Sequence, residues 1–179
     1  LRDFVLSGAE LQGPAKDRYT AIQERRAALS QQFSEHVLDA TDGFALYVSS
    51  TDLDGVPDDV KAATAAAAQA KPATAGSVDP AQAHRLSLHM PVYLPVMQYA
   101  SNRGLREQLY RAYVTRASEF GPPERDNSAV ITELLQLRQE EAELLGYANA
   151  AEVSLVPKMA KNPAEVTTFL RDLARRAKP

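Results

Sequence analysis

The sequence contains no cysteine, which removes disulfides, thiolate nucleophiles and every cysteine-containing zinc site together. Histidine is nearly as scarce: His36, His84 and His89 are the only three, and none opens a His-Glu-x-x-His pattern, so a zincin helix is not written here. No stretch approaches 18 consecutive apolar residues, so nothing in the sequence is built to span a bilayer. Arg2 and Asp3 lead into no apolar run of useful length, and the chain shows no signal peptide. Gly8, Gly13 and Gly43 do not form a phosphate-binding loop, and no repeat recurs at a fixed period. A net charge of -3 gives the whole molecule no reason to seek nucleic acid. A chain that starts at Leu1 without methionine and ends at Lys178-Pro179, directly after a helical pattern, reads as a piece of something longer.

What is present is ordinary globular material. Charged residues make up 24% and hydrophobic residues 45% of the 179 positions, values far from those of disordered chains. A chain of this length can bury roughly 70% of its unfolded surface without metals or cross-links, and residues 1–179 are expected to fold as one helical domain. The stretch from Leu86 to Pro122 organises it. Leu86, Leu88 and Met90 alternate with Ser87 and His89 as in a half-buried strand. Pro91 and Pro95 then suit the first turn of a helix or the bend before it. With Asn102 as cap, Leu105, Leu109, Ala112, Tyr113 and Ala117 form one apolar stripe, which Gly121-Pro122-Pro123 stops.

Other elements follow from similar signals. Tyr19, Ile22, Leu29, Phe33 and Val37 place an amphipathic helix over about Ala15 to Leu38, ended by Asp39 to Gly43, with glycine suited to a left-handed helix end. Phe44, Leu46 and Val48 mark a second short strand. The two strands, about residues 44–48 and 85–89, are expected to pair as an antiparallel ribbon. Between them Pro57, Asp58 and Asp59 open a helix carried by alanines 62 to 70, with high propensity and little core. Lys71 to Asp79, with Pro72 and Gly76, is expected to be a flexible loop. Asp126 or Asn127 caps a helix through Val130, Ile131, Leu134, Leu137, Ala142 and Leu145 to Gly146. Asn149 and Glu152 begin another, which Pro157 kinks or ends. Asn162-Pro163-Ala164-Glu165 starts the last, whose Val166, Phe169, Leu170 and Leu173 are expected to be buried. The fold class is mainly α, a multi-helix domain with one small two-stranded antiparallel ribbon.

Chemistry is thin by comparison. His84 and His89, five apart in an extended run, face opposite ways and are poor joint metal ligands; each histidine is expected to be a surface or satisfied polar residue. Asp39, Asp42, Asp52 and Asp54 lack the twelve-residue loop and closing glutamate of a calcium site. Arg103, Arg106, Arg111 and Arg116 scatter around their helix, which favours a solvated, salt-bridged surface over an RNA face. Tyr93, Tyr99, Tyr110 and Tyr113 are expected to pack in or near the core. The residues themselves supply no catalytic, cofactor-binding or metal position.

A resemblance adds what spacing does not. Phe4-Val5-Leu6-Ser7-Gly8, Val37-Leu38-Asp39-Ala40-Thr41, Tyr93-Leu94-Pro95-Val96-Met97, Leu105-Arg106-Glu107, Tyr110-Arg111-Ala112-Tyr113, Thr115-Arg116-Ala117-Ser118, Asp126-Asn127 and Lys158-Met159-Ala160, in this order, resemble the oligopeptidase A / thimet oligopeptidase family of zinc metallopeptidases. The resemblance implies a non-catalytic helical segment from the N-terminal half of a longer cytoplasmic enzyme that hydrolyses short peptides. In that family two histidines and a glutamate hold zinc far downstream, and the motif's glutamate acts as general base. This segment would then supply part of the wall of a channel, with zinc and the catalytic half belonging to the parent chain, short peptides as substrates, and no nucleic acid or membrane as partner. Taken alone it is expected to be inactive, because it lacks the motif. The alternatives are a freestanding helical protein-interaction module without enzymatic activity and a weak RNA binder.

Overall fold

A computed structural model describes residues 1–72, 79 and 82–178. The expected loop at 71–79 therefore lies, but for Lys71, Pro72 and Asp79, outside the described residues. Among them the chain forms α1 (Arg2–Leu6), α2 (Pro14–Asp42), β1 (Leu46–Ser49), a 3-10 turn (Ser50–Leu53), α3 (Asp58–Ala70), β2 (Ala83–Leu86), α4 (Met90–Tyr99), α5 (Arg103–Val114), a second 3-10 turn (Pro123–Arg125), α6 (Ser128–Leu144), α7 (Ala150–Leu155) and α8 (Pro163–Ala177). This is the expected mainly helical fold with one antiparallel pair. Two compact units are distinguishable, Leu1–Gln32 with Ala129–Pro179, and Phe33–Ser128.

The first unit is built on the N-terminal part of α2 and on α6. Ile22 and Leu29 are almost wholly buried and pack with Val130 and Leu137, and Leu134 and Leu144 close the sides. Seven residues separate Ile22 from Leu29 and Val130 from Leu137, so each pair occupies one face of its helix after two turns. Three arginines of α2 meet three glutamates of α6: Arg18 Nε lies 2.5 Å from Glu140, Arg25 Nε lies 2.6 Å from Glu133, and Arg26 pairs with Glu141. Glu141 also accepts a hydrogen bond from Gln23 Nε2 at 2.7 Å. The Asn149 and Asn162 side chains accept from the Glu152 and Glu165 amides at 3.0 and 2.9 Å, which caps α7 and α8 as their sequences direct. Leu155 ends α7 two residues before Pro157.

One expectation fails in this unit. Phe169, Leu170 and Leu173 of α8 are 65%, 55% and 52% exposed, although they share one face of an amphipathic helix. Periodicity shows which side chains lie together; it does not supply the surface that covers them.

The second unit holds the ribbon. Leu46 pairs with Leu86, Tyr47 with Arg85, Val48 with His84 and Ser49 with Ala83. The ladder thus begins two residues later in the first strand and ends three earlier in the second than the alternation indicates. In the second strand the reason is local. Leu88 keeps the inward pattern and is buried, but His89 caps α4 and Pro91 fills its first turn, so the chain turns helical and Met90 is exposed. Pro95 lies inside α4, a turn beyond the position expected for it.

α3 contributes more to the core than an alanine-rich helix promises. Val60, Thr64 and Ala68, spaced four apart, are buried, and their small side chains let β2 pack close. Val48, Leu53, Val56, Val60, Leu86, Leu88, Tyr93, Val96, Leu105 and Leu109 belong to one apolar cluster. α5 ends at Val114, before Ala117, which takes a left-handed φ of 49°. Its stop is therefore set by Thr115 and this turn, well ahead of Gly121-Pro122-Pro123. Gly43 follows α2 as expected but without a positive φ; a side chain there would meet Arg125, whose guanidinium lies over the same spot.

Candidate functional site

A hollow of ≈ 250 Å³ in the second unit lies between the end of α2 and the turn after α5, lined among others by Phe44, Leu88, Arg116, Ala117, Phe120 and Arg125. The left-handed turn at Ala117 shapes it, and Asn127 fastens that turn by donating its amide N–H to the Ala117 carbonyl at 3.0 Å. Phe120 stands on the rim, 77% exposed.

Both arginines are held by the protein. Arg116 lies 3.8 Å over the Tyr113 ring, donates from Nε to the Tyr113 carbonyl at 2.9 Å and from Nη1 to Thr41 Oγ1 at 2.8 Å. Tyr113 in turn stacks on Tyr93, with centroids 4.3 Å apart. Burial raises the Tyr93 phenol above its ordinary pKa, with Tyr113 and Tyr110 adding to the effect. Arg125 donates to the Asp39 carbonyl at 3.0 Å. The hollow therefore combines a fixed cationic wall with an exposed aromatic edge. It brings together no nucleophile with a base and no pair of carboxylates.

Each histidine has its own partner. His84 is buried, with Nδ1 3.0 Å from Thr64 Oγ1 and 3.1 Å from the Lys61 carbonyl. Since a carbonyl only accepts, Nδ1 carries the proton in this arrangement. His36 Nδ1 lies 2.9 Å from Asn127 Oδ1, and Asn127 donates to the Phe33 carbonyl at 3.1 Å. His89 pairs with Asp42 at 3.0 Å on the surface. Among the described residues no group of three or more metal-ligating side chains converges. The described residues do not fit a zinc ion.

The remaining sequence candidates have local duties. Asp52 accepts from the Ser49 amide and hydroxyl at 3.0 and 2.7 Å and from Asn102 at 3.1 Å. The Ser49 hydroxyl, then the Ser49 amide, hold its pKa below the usual carboxylate value. Arg106 donates to the Ala100 carbonyl and Arg111 approaches Glu107 at 3.9 Å. Tyr93 is buried, whereas Tyr99 and Tyr110 are 55% and 53% exposed and leave the core expected of them. Sequence reasoning missed the hollow itself. Its one local signal was the Thr-Arg-Ala-Ser turn at 115–118, which carries no glycine to announce a left-handed residue.

Comparison with known proteins extends over the whole chain. The sequence pattern of peptidase family M3 matches residues 96–179. The chain is 47% identical over 182 aligned residues to oligopeptidase A of Salmonella typhimurium, an alignment covering 100% of this chain and 26% of that protein. It is 42% identical to the probable cytosolic oligopeptidase A of Arabidopsis thaliana, over 89% of this chain and 22% of the relative, and 28% identical to the dipeptidyl carboxypeptidase of Escherichia coli, over 98% and 24%. The chain spans about a quarter of the length of the curated relatives it matches. No described helix is long and apolar enough to cross a membrane.

Proposed function

We propose that this chain, which matches the pattern of peptidase family M3 over residues 96–179 and is 47% identical to oligopeptidase A, is a non-catalytic helical segment of a zinc-dependent oligopeptidase that hydrolyses short peptides in the cytoplasm. In this reading it forms part of the wall of the substrate channel. The carrying observation is the 47% identity along 100% of the chain against 26% of the relative. The zinc, its ligands and the general base then belong to the part of the polypeptide that this chain does not contain, and no residue of residues 1–179 is catalytic, cofactor-binding or metal-binding.

The physical case for a wall rests on stiffness. A barrier that admits flexible peptides and turns away folded proteins must keep its shape against a substrate. Paired charges along α2 and α6 and side-chain caps on α5, α7 and α8 resist fraying and sliding.

The test uses the longer reading frame from the same gene. The full-length enzyme is expected to hydrolyse short peptides, to lose activity to a chelator and to regain it with zinc, while the 179-residue chain binds no zinc in titration calorimetry and cleaves nothing. A frame that encodes no His-Glu-x-x-His motif within a few hundred codons, or zinc-restored hydrolysis by the short chain, defeats the proposal.

A second reading, a freestanding helical interaction module, is favoured by the exposed Phe169, Leu170 and Leu173. A natural start codon just before Leu1 with a stop at or near Pro179 would favour it.

A further inference from the structure

We propose that the apolar face of α8 is a docking strip for the part of the parent polypeptide that this chain lacks. The inference rests on the reading of the chain as a segment of a longer peptidase, and it names what that segment holds on to.

Among the described residues α8 leaves most of its apolar face uncovered. Asn162 caps it, Pro163 occupies its first turn, and the Glu165 side chain reaches back to the Lys161 amide at 2.7 Å, so its start is specified by its own sequence. Val166, Phe169, Leu170 and Leu173 stand at i, i+3, i+4 and i+7, the spacing of a helix that lies in a groove. Three of the four are more than half exposed, and Val166 is half-buried. Isolated exposed leucines are commonplace; a phenylalanine and two leucines on one helical face are the mark of a surface that meets another.

Two observations identify the occupant. The pattern of family M3 covers this helix, so α8 lies within the shared body of the family and is not a private extension. The relatives aligned along it are about four times as long as this chain, which spans 26% of the first of them; an intramolecular partner of ample size is available. The charges refine its chemistry. Arg171 and Arg175 lie away from the strip on the far side of the helix, Arg176 alone stands beside it, and Asp172 engages both Arg175 at 2.9 Å and Arg176 at 2.8 Å. The complementary surface is thus chiefly apolar.

The experiment compares the 179-residue chain with the full-length parent, each carrying Leu170→Cys, Leu173→Cys or Thr168→Cys. Thr168 lies on the opposite face of α8 and serves as reference. Thiol labelling is followed by peptide mass spectrometry, which reads each position separately. The two leucine positions are expected to label at least about tenfold more slowly in the parent than in the short chain, because a covered thiol reacts only through local opening, while the Thr168 position changes little. Hydroxyl-radical footprinting of Phe169 in the unsubstituted proteins supplies the same comparison should a variant misfold. Equal rates in parent and short chain overturn the inference. So does protection in the short chain that grows with its own concentration, which would make a second copy the occupant. Peptide hydrolysis by the parent is assayed in parallel: slow labelling in an inactive parent upholds the docking strip and rejects the peptidase reading, and fast labelling in an active one does the reverse.

Discussion

Gly55 faces the backbone carbonyl of Tyr99 so closely that a β-carbon on it would lie 2.3 Å from that oxygen, and its φ is +83°. The contact joins the turn before α3 to the end of α4, where the Ser101 amide also donates to the Asp54 carbonyl at 2.8 Å. Two independent reasons therefore demand glycine. Gly55→Ala is expected to destabilise the protein by about 2 kcal/mol or more, since a left-handed residue with a side chain costs roughly 1–2 kcal/mol before any clash. Gly104→Ala, in the first turn of α5 with its nearest neighbour at 3.4 Å, should be neutral or stabilising. Urea unfolding of both variants by circular dichroism checks the contrast.

Core and surface leucines should part just as clearly. Leu109 is 0% exposed in the cluster of the second unit, and Leu109→Ala should cost about 2–5 kcal/mol through lost transfer energy and a cavity. Leu173→Ala, at a position 52% exposed, should change the stability of the 179-residue chain by no more than about 0.5 kcal/mol. Thermal melts decide it.

The ion pairs of α2 and α6 should not contribute equally. Arg26 and Glu141 are 26% and 14% exposed, against 49% and 38% for Arg18 and Glu140. A double-mutant cycle on Arg26–Glu141 should yield a coupling of about 1 kcal/mol that survives 0.5 M salt. The Arg18–Glu140 and Arg25–Glu133 couplings should be smaller and vanish in that salt.

Acid should weaken the fold through specific carboxylates. Glu140 and Glu133 are held below their ordinary pKa chiefly by hydrogen bonds from Arg18 and Arg25, and Asp52 and Asp126 by hydrogen bonds from Ser49 and Ser128. A depressed folded pKa adds stability that is complete above the unfolded value near 4 and is lost as pH falls through the folded one. The urea midpoint should thus be flat from about pH 7 to 5 and fall below about pH 4, with a shallower fall in Asp52→Asn.

The buried hydroxyl of Thr64 makes a last test. It donates to the Val60 carbonyl at 2.9 Å and stands beside His84 Nδ1. Thr64→Val keeps the shape and removes the link, and should cost about 1 kcal/mol in chemical denaturation.

Much of the architecture was legible because its signals are short-range. Asn102, Asn149 and Asn162 cap the helices that their neighbours begin, since a cap bonds an amide three residues away. The candidate site was not legible. Arg116 reaches Thr41 across 75 positions and Arg125 reaches Asp39 across 86, and no local pattern encodes such meetings. Ala117 hid its left-handed turn behind a good helix-former, and α5 stopped earlier than its apolar stripe.

By itself the sequence determined the helical content, the helix starts and the absence of thiol chemistry, because caps, periodicity and composition act within a few residues. Only the tertiary structure decided which stripes find a partner. Ile22 and Leu29 are covered by α6, while Phe169, Leu170 and Leu173 face solvent. Burial belongs to two surfaces at once, and a periodic stripe describes one of them.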